Sequence, residues 1–141
     1  MKKKGFTLVE LLAVIAILAI LVIIALPNVM GMFNNAKKSS FETEIKNIVK
    51  YAGTEWMTTN GMGGAAVAVT YSTAGTKITS LDSRSALKYQ VTVNSLGKVT
   101  SVFAQDGTYW YTTTGTDVKA EDVKTADIKT TAENALPATA C

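Results

Sequence analysis

From Leu11 to Leu26 the chain carries sixteen consecutive Ala, Val, Ile and Leu residues. Extended back to Phe6, the apolar block covers 21 residues and is broken only by Thr7 and Glu10. As an α-helix at 1.5 Å per residue it reaches about 32 Å, close to the hydrocarbon thickness of a bilayer. A helix that is apolar on every side must lie in lipid or inside a protein core. The rest of a 141-residue chain holds too little apolar material to wrap it. The block is therefore expected to cross a membrane.

Composition closes off most chemistry. There is no histidine, so the Ser-His-Asp, Cys-His and HExxH arrangements are all unavailable. A single cysteine, Cys141, can form neither an internal disulfide nor a thiolate zinc site. Neither a phosphate-binding Gly-x-x-x-x-Gly-Lys loop nor an EF-hand run is present. No metal, cofactor or catalytic constellation is expected, and the chain reads as non-enzymatic. The formal charge of +3 comes wholly from Lys2, Lys3 and Lys4; without them basic and acidic side chains stand at eleven each. A nucleic-acid-binding face would need Lys and Arg clustered on the folded part, and nothing in the sequence points to one.

Three membrane-directed readings compete for the N-terminal block. A secretory signal peptide needs an apolar region of about 7–15 residues and a small-x-small cleavage site. Here the block is longer, and Pro27-Asn28-Val29-Met30-Gly31-Met32-Phe33 offers no such site. An ordinary signal anchor fits the block but leaves Glu10 and the Gly5–Phe6 junction unexplained. The third reading is a segment first held in the membrane and later packed among copies of itself. Although Lys37, Lys38 and Lys46 follow the block, the three leading lysines abut its boundary, which places the N-terminus in the cytoplasm.

Glu10 separates these readings. A carboxylate inside a spanning segment is costly and usually marks function. Close to the interface and to a helix N-terminus it is tolerated. Among packed apolar helices it would need a cation, and the block contains no Lys or Arg. Cutting between Gly5 and Phe6 would remove the lysines and create an ammonium on Phe6, about 6 Å of helical rise from Glu10. Pairing that amine with Glu10 of a neighbouring copy would fix the stagger between helices, since charges in low dielectric are strong when paired and costly when not.

The run Lys3-Lys4-Gly5-Phe6-Thr7-Leu8-Val9-Glu10-Leu11-Leu12-Ala13-Val14-Ile15-Ala16-Ile17-Leu18 resembles the class III signal of type IV prepilins and pseudopilins. The likeness is confined to the N-terminal block. It implies that Gly5 is the last leader residue, cut from Phe6 by a membrane-embedded prepilin peptidase that also N-methylates Phe6. It further implies that Glu10 is the assembly carboxylate, and that Pro27 lies where many such helices bend or melt in the filament. Proline removes one helical hydrogen bond and clashes with the preceding turn, and Gly31 adds a second weak point. Many relatives close their C-terminal region with a disulfide, which this chain cannot form; Cys141 could link copies or remain free.

Beyond Pro27 the helical pattern resumes. Phe41, Ile45, Ile48, Ala52 and Trp56, with Val49 beside them, form one apolar stripe, and Glu42 and Lys46 make a supporting pair four residues apart. Asn60-Gly61-Met62-Gly63-Gly64 is a glycine stop, so one long helix should run from Phe6 to about Thr59. Leu87, Tyr89, Val91 and Val93 alternate as a strand, Asn94–Lys98 is a turn, Val99–Gln105 is a second strand, and Asp106-Gly107 turns into a third over Thr108–Thr114. Ala65–Tyr71 and Thr76–Leu81 are further short-strand candidates. Tyr109, Trp110 and Tyr111 read as core rather than as a ligand site. Val118, Val123 and Ile128 recur every five residues, matching neither helix nor strand, which leaves a loop with one helical turn around Ala120–Ile128.

The expected protein is α+β: a long N-terminal helix, half membrane-spanning and half amphipathic, packed on a small antiparallel sheet in a pilin-like arrangement. Residues 1–5 would be leader, 6–30 the transmembrane and assembly helix, and 31–141 the head. Within the head fall an amphipathic helix 31–59, a loop 60–86, the sheet 87–114 and a C-terminal loop region 115–141. The expected function is a structural subunit stored in the cytoplasmic membrane and polymerised into an extracellular filament for adhesion, surface motility or DNA uptake. Its expected partners are copies of itself, the peptidase, an assembly platform and an extraction motor. The alternatives are a pseudopilin of a secretion or competence apparatus and an uncleaved single-pass membrane protein.

Overall fold

The computed structural model describes residues 5–63, 66–81 and 86–131. Lys2–Lys4 and Cys141 lie outside the described residues, as does the end of the loop region expected from residue 115. The chain divides into two compact units, Met1–Lys37 and Lys38–Cys141.

One helix, α1, spans Leu8–Trp56, 49 residues, and includes Pro27 in its interior. Proline there deletes only the N–H that would bond the Ile23 carbonyl. The helix continues through both Pro27 and Gly31. In the first unit all the helical side chains are exposed.

In the second unit the stripe read from the sequence is the buried face. Phe41, Ile45, Ile48, Val49, Ala52 and Trp56 are the buried residues of α1. They pack on an antiparallel sheet of five strands in sequential order: β1 Val69–Ser72, β2 Lys88–Val93, β3 Val99–Gln105, β4 Tyr109–Thr114 and β5 Lys129–Thr130. Period-two alternation sends Tyr71, Tyr89, Val91, Val93, Val102, Ala104, Tyr109 and Tyr111 into the core with them. The arrangement is the α+β one expected, with two strands more than the three-stranded meander. Of the two further strand candidates, Ala65–Tyr71 contains the start of β1, whereas Thr76–Leu81 is a turn held by the Leu81 N–H donating to the Ile78 carbonyl at 3.2 Å.

The helical stretch runs to Gly61, within the glycine run expected to stop it, but its last turn is not regular α-helix. At Trp56 it widens into a π-turn over Met57–Gly61. Thr58 and Thr59 each donate a side-chain hydroxyl to the Glu55 carbonyl, diverting the last-turn acceptors from regular helix. Trp56 closes this end of the core: its Nε1–H donates to the Val67 carbonyl at 2.8 Å. Gly97, with φ of +77°, lies so close that a Cβ there would stand 2.8 Å from Trp56 Cε3 and Cζ3.

The five-residue spacing also has a structural reason. Val118-Lys119-Ala120-Glu121-Asp122 and Val123-Lys124-Thr125-Ala126-Asp127 are two copies of one unit, followed by Ile128-Lys129. In each unit the last three residues form a 3₁₀ turn, Ala120–Asp122 and Thr125–Asp127. Asp122 accepts the Lys119 N–H at 2.9 Å and so closes the first turn. Each repeat returns one apolar residue to the core, and Val118, Val123 and Ile128 are all buried there. The single helical turn expected is thus two short ones. Glu42 ties α1 to this segment, holding Lys46 Nζ at 2.5 Å and accepting the Thr125 hydroxyl. The Lys46 ammonium, and then the Thr125 hydroxyl, hold its carboxyl below the ordinary value. Burial pushes the Tyr111 phenol up.

Candidate processing and assembly site

The site begins where the helix begins. Gly5, Phe6 and Thr7 precede α1 without regular structure, and a Cβ at Gly5 would meet nothing within 4 Å. Phe6 is 91 % exposed. The Gly5–Phe6 bond thus lies in open, non-helical chain, the form in which a backbone is accessible to a peptidase.

Thr7 and Glu10 form a reciprocal cap on the helix start. The Thr7 backbone N–H and the Thr7 hydroxyl both donate to Glu10 Oε2, each at 2.8 Å. In return the Glu10 N–H donates to Thr7 Oγ1 at 3.3 Å. The first helical bond runs from the Leu11 N–H to the Thr7 carbonyl at 3.3 Å. This is a capping box: N-cap Thr and N3 Glu satisfy donors that would otherwise be orphaned at the helix start. Its signature, Thr7-Leu8-Val9-Glu10, stands in the sequence, yet periodicity, hydropathy and charge each pass over Thr7. The box gives Glu10 a partner within its own chain. Both bonds fall on Oε2, and no hydrogen bond among the described residues reaches Oε1. A carboxylate can accept at both oxygens, so this arrangement leaves one face for a further donor.

Behind the box runs the apolar wall. From Leu8 onward α1 provides one helix long and apolar enough to cross a membrane. Past Pro27 the exposed apolar side chains continue as Val29, Met30, Met32 and Phe33. Lys37 Nζ lies 4.7 Å from the centre of the Phe33 ring, an aromatic–cation pair of the kind found where apolar chain meets water. Gly5, Phe6 and Glu10 therefore fall together at the helix start, whereas Pro27 and Gly31 stand well along the helix. Among the described residues no group of His, Cys, Asp and Glu could hold a metal ion.

Residues 1–26 match a family described as the prokaryotic N-terminal methylation motif. No curated protein and no solved structure matches the chain significantly. The matched segment is the class III prepilin signal and contains the Gly5–Phe6 bond, the capping box and the apolar block. Such a signal implies processing by a prepilin peptidase, anchoring in a membrane and entry into a pilus-type assembly system.

Proposed function

We propose that this type IV pilin-like precursor is the structural, non-enzymatic subunit of an extracellular filament. The observation that carries the reading is the first unit itself: a capped helix, exposed and apolar on all sides, starting just after the non-helical Gly5–Phe6 junction within a prokaryotic N-terminal methylation motif. Such a surface has two stable settings, lipid or a bundle of its own kind. The leader lysines hold the chain in the first. Cleavage at Gly5–Phe6 discards them, and N-methylation keeps the new Phe6 amine cationic.

Leaving lipid gains little hydrophobic energy, because hydrocarbon already solvates these side chains. Van der Waals packing and polar pairing must select the assembled state. In this scheme Glu10 supplies the polar pairing: Oε2 stays in its own capping box, and Oε1 receives the ammonium of Phe6 from a neighbouring copy. Extraction then requires a motor and an assembly platform in the cytoplasmic membrane. Pro27 and Gly31, continuous in the single chain, are the positions where the helix would yield when bundled.

The test is to shear surface fibres from cells and identify their subunits by mass. The expected result is this chain, starting at methylated Phe6. Its presence only in membranes, with Met1-Lys2-Lys3-Lys4-Gly5 still attached, would overturn the reading. Processed chain confined to short envelope-bound assemblies would instead favour the secretion-apparatus alternative.

A further inference from the structure

Past Pro27 the apolar surface of α1 narrows from all sides to one. Val29, Met32, Phe33 and Ala36 recur at i, i+3, i+4 and i+7 and so form one stripe, with Met30 on its flank. Gly31 and Asn34 stand on the opposite side of the helix, and Asn28 and Asn35 on the other flank. All five apolar side chains are exposed. The segment is amphipathic, and its apolar stripe runs without a polar gap into the all-round apolar block through Leu26.

Length decides what that stripe must meet. Between Leu8 and Leu26 the helix rises about 28 Å, and by Phe33 it has risen about 39 Å. The hydrocarbon of a bilayer is about 30 Å thick. Standing upright, the helix would leave Val29 to Phe33 in water. A leaning helix keeps more of its length in lipid, and more on its underside than on its upper side. A one-sided apolar stripe at the point of exit is what the underside requires. We propose that α1 crosses the membrane leaning onto the stripe of Val29, Met32, Phe33 and Ala36. These side chains then contact the lipid of the leaflet farther from the N-terminus, while the side carrying Gly31 and Asn34 faces water.

Charge selects lipid over a second copy of the chain as the occupant. Lys37 Nζ sits 4.7 Å from the centre of the Phe33 ring, so the stripe passes from aliphatic to aromatic to cation. That is the order of surroundings met on leaving acyl chains for headgroups. From Leu11 to Ser40 there is no Asp or Glu, whereas Lys37 and Lys38 both fall there. Copies set side by side at this level would bring lysines together, and phospholipid phosphates supply the missing negative charge. The lean rests on membrane anchoring alone, so it applies equally to a filament subunit, a secretion-apparatus subunit or an uncleaved anchor. It moves the edge of the lipid-embedded surface from residue 30 to Phe33 and Lys37, on one side of the helix only.

Spin labels test the lean in the full chain, reconstituted into vesicles of phosphatidylethanolamine and phosphatidylglycerol. In a Cys141→Ser background, Val29→Cys, Gly31→Cys and Met32→Cys each carry a nitroxide. Its collisions with oxygen, which dissolves in lipid, are compared with those of a water-soluble nickel chelate present on both sides of the membrane. All three positions are exposed, and a Cβ at Gly31 meets nothing within 4 Å, so no label disturbs a packed core. Gly31 lies between the other two along the axis but on the opposite side. The oxygen-to-chelate ratio should therefore be about threefold lower at Gly31 than at both Val29 and Met32. A ratio that falls steadily from Val29 through Gly31 to Met32, or is equal at all three, would overturn the proposal. So would low access of both reagents at Met32 with line broadening that fades on dilution with unlabelled chain, which would put a second copy on the stripe. Leu18→Cys is the control for the block itself: chelate reaching it freely would overturn membrane anchoring, and the lean with it.

Discussion

Between Leu11 and Leu26 every side chain of α1 is apolar and exposed, whereas between Phe41 and Trp56 only one stripe is apolar and that stripe is buried. The two stretches share one backbone geometry and one hydrogen-bond pattern. They differ in what is offered to satisfy the side chains. The head surrounds its stretch with aromatic and β-branched residues from β1–β5 and with Val118, Val123 and Ile128. Among the described residues of the N-terminal unit nothing covers its stretch, which stays exposed along its whole length. Distribution of apolar residues around a helix, rather than their number, decides whether it folds inward or associates outward.

The largest expected effect breaks this symmetry directly. Ile48 is fully buried and Ile17 is exposed. Ile48→Ala should cost the head about 2–5 kcal/mol by leaving a cavity, and Ile17→Ala should change it by no more than about 0.5 kcal/mol. Urea unfolding of the two variants in micelles, followed by near-ultraviolet circular dichroism, measures both. Equal losses would mean that the two stretches are not energetically distinct.

A smaller effect is expected at the junction of helix and sheet. Gly97→Ala places a Cβ 2.8 Å from the Trp56 ring at a φ of +77°. Strain and overpacking together should cost about 1–3 kcal/mol, with a shift in the Trp56 fluorescence. The control is Gly53→Ala, where the added Cβ meets nothing within 4 Å; it should be neutral or stabilising by up to about 1 kcal/mol.

The smallest effect is the tether between α1 and the repeat. Thr125→Val should cost about 1 kcal/mol by removing one hydrogen bond to Glu42. Because Glu42 is held below its ordinary value of 4.5, its contribution is fully present above that pH and is lost as pH falls through the lower folded value. Acidification below about pH 4.5 should therefore destabilise the unaltered head more than it does Glu42→Gln, as read by urea midpoints across pH. Equal acid sensitivity would show that Glu42 does not link the two segments.

What could be read in advance follows the same division. The apolar block and the Phe41–Trp56 stripe were legible because their periods are long and unbroken, and Val99–Gln105 matched the bounds of β3. The Val118–Ile128 segment was opaque because period five belongs to no single regular element; it arises from a 3₁₀ turn plus two extended residues. Two-residue β5 is too short to carry a pattern and exists through its pairing with β4. Trp110 read as core and is buried, but on the opposite face from Tyr109 and Tyr111, which alternation alone would have assigned. At the site, Gly5, Phe6 and Glu10 were visible as a break in composition. Thr7 was not, since a capping residue acts through geometry that only a folded helix start reveals.

Copy-to-copy cross-linking in sheared fibres tests the central contrast most directly. In a Cys141→Ser background, Leu18→Cys should join neighbouring subunits on mild oxidation, whereas Ile48→Cys should not, because Ile48 is enclosed within its own head. Fibres in which Leu18→Cys stays monomeric and reacts freely with a water-soluble maleimide would contradict the account.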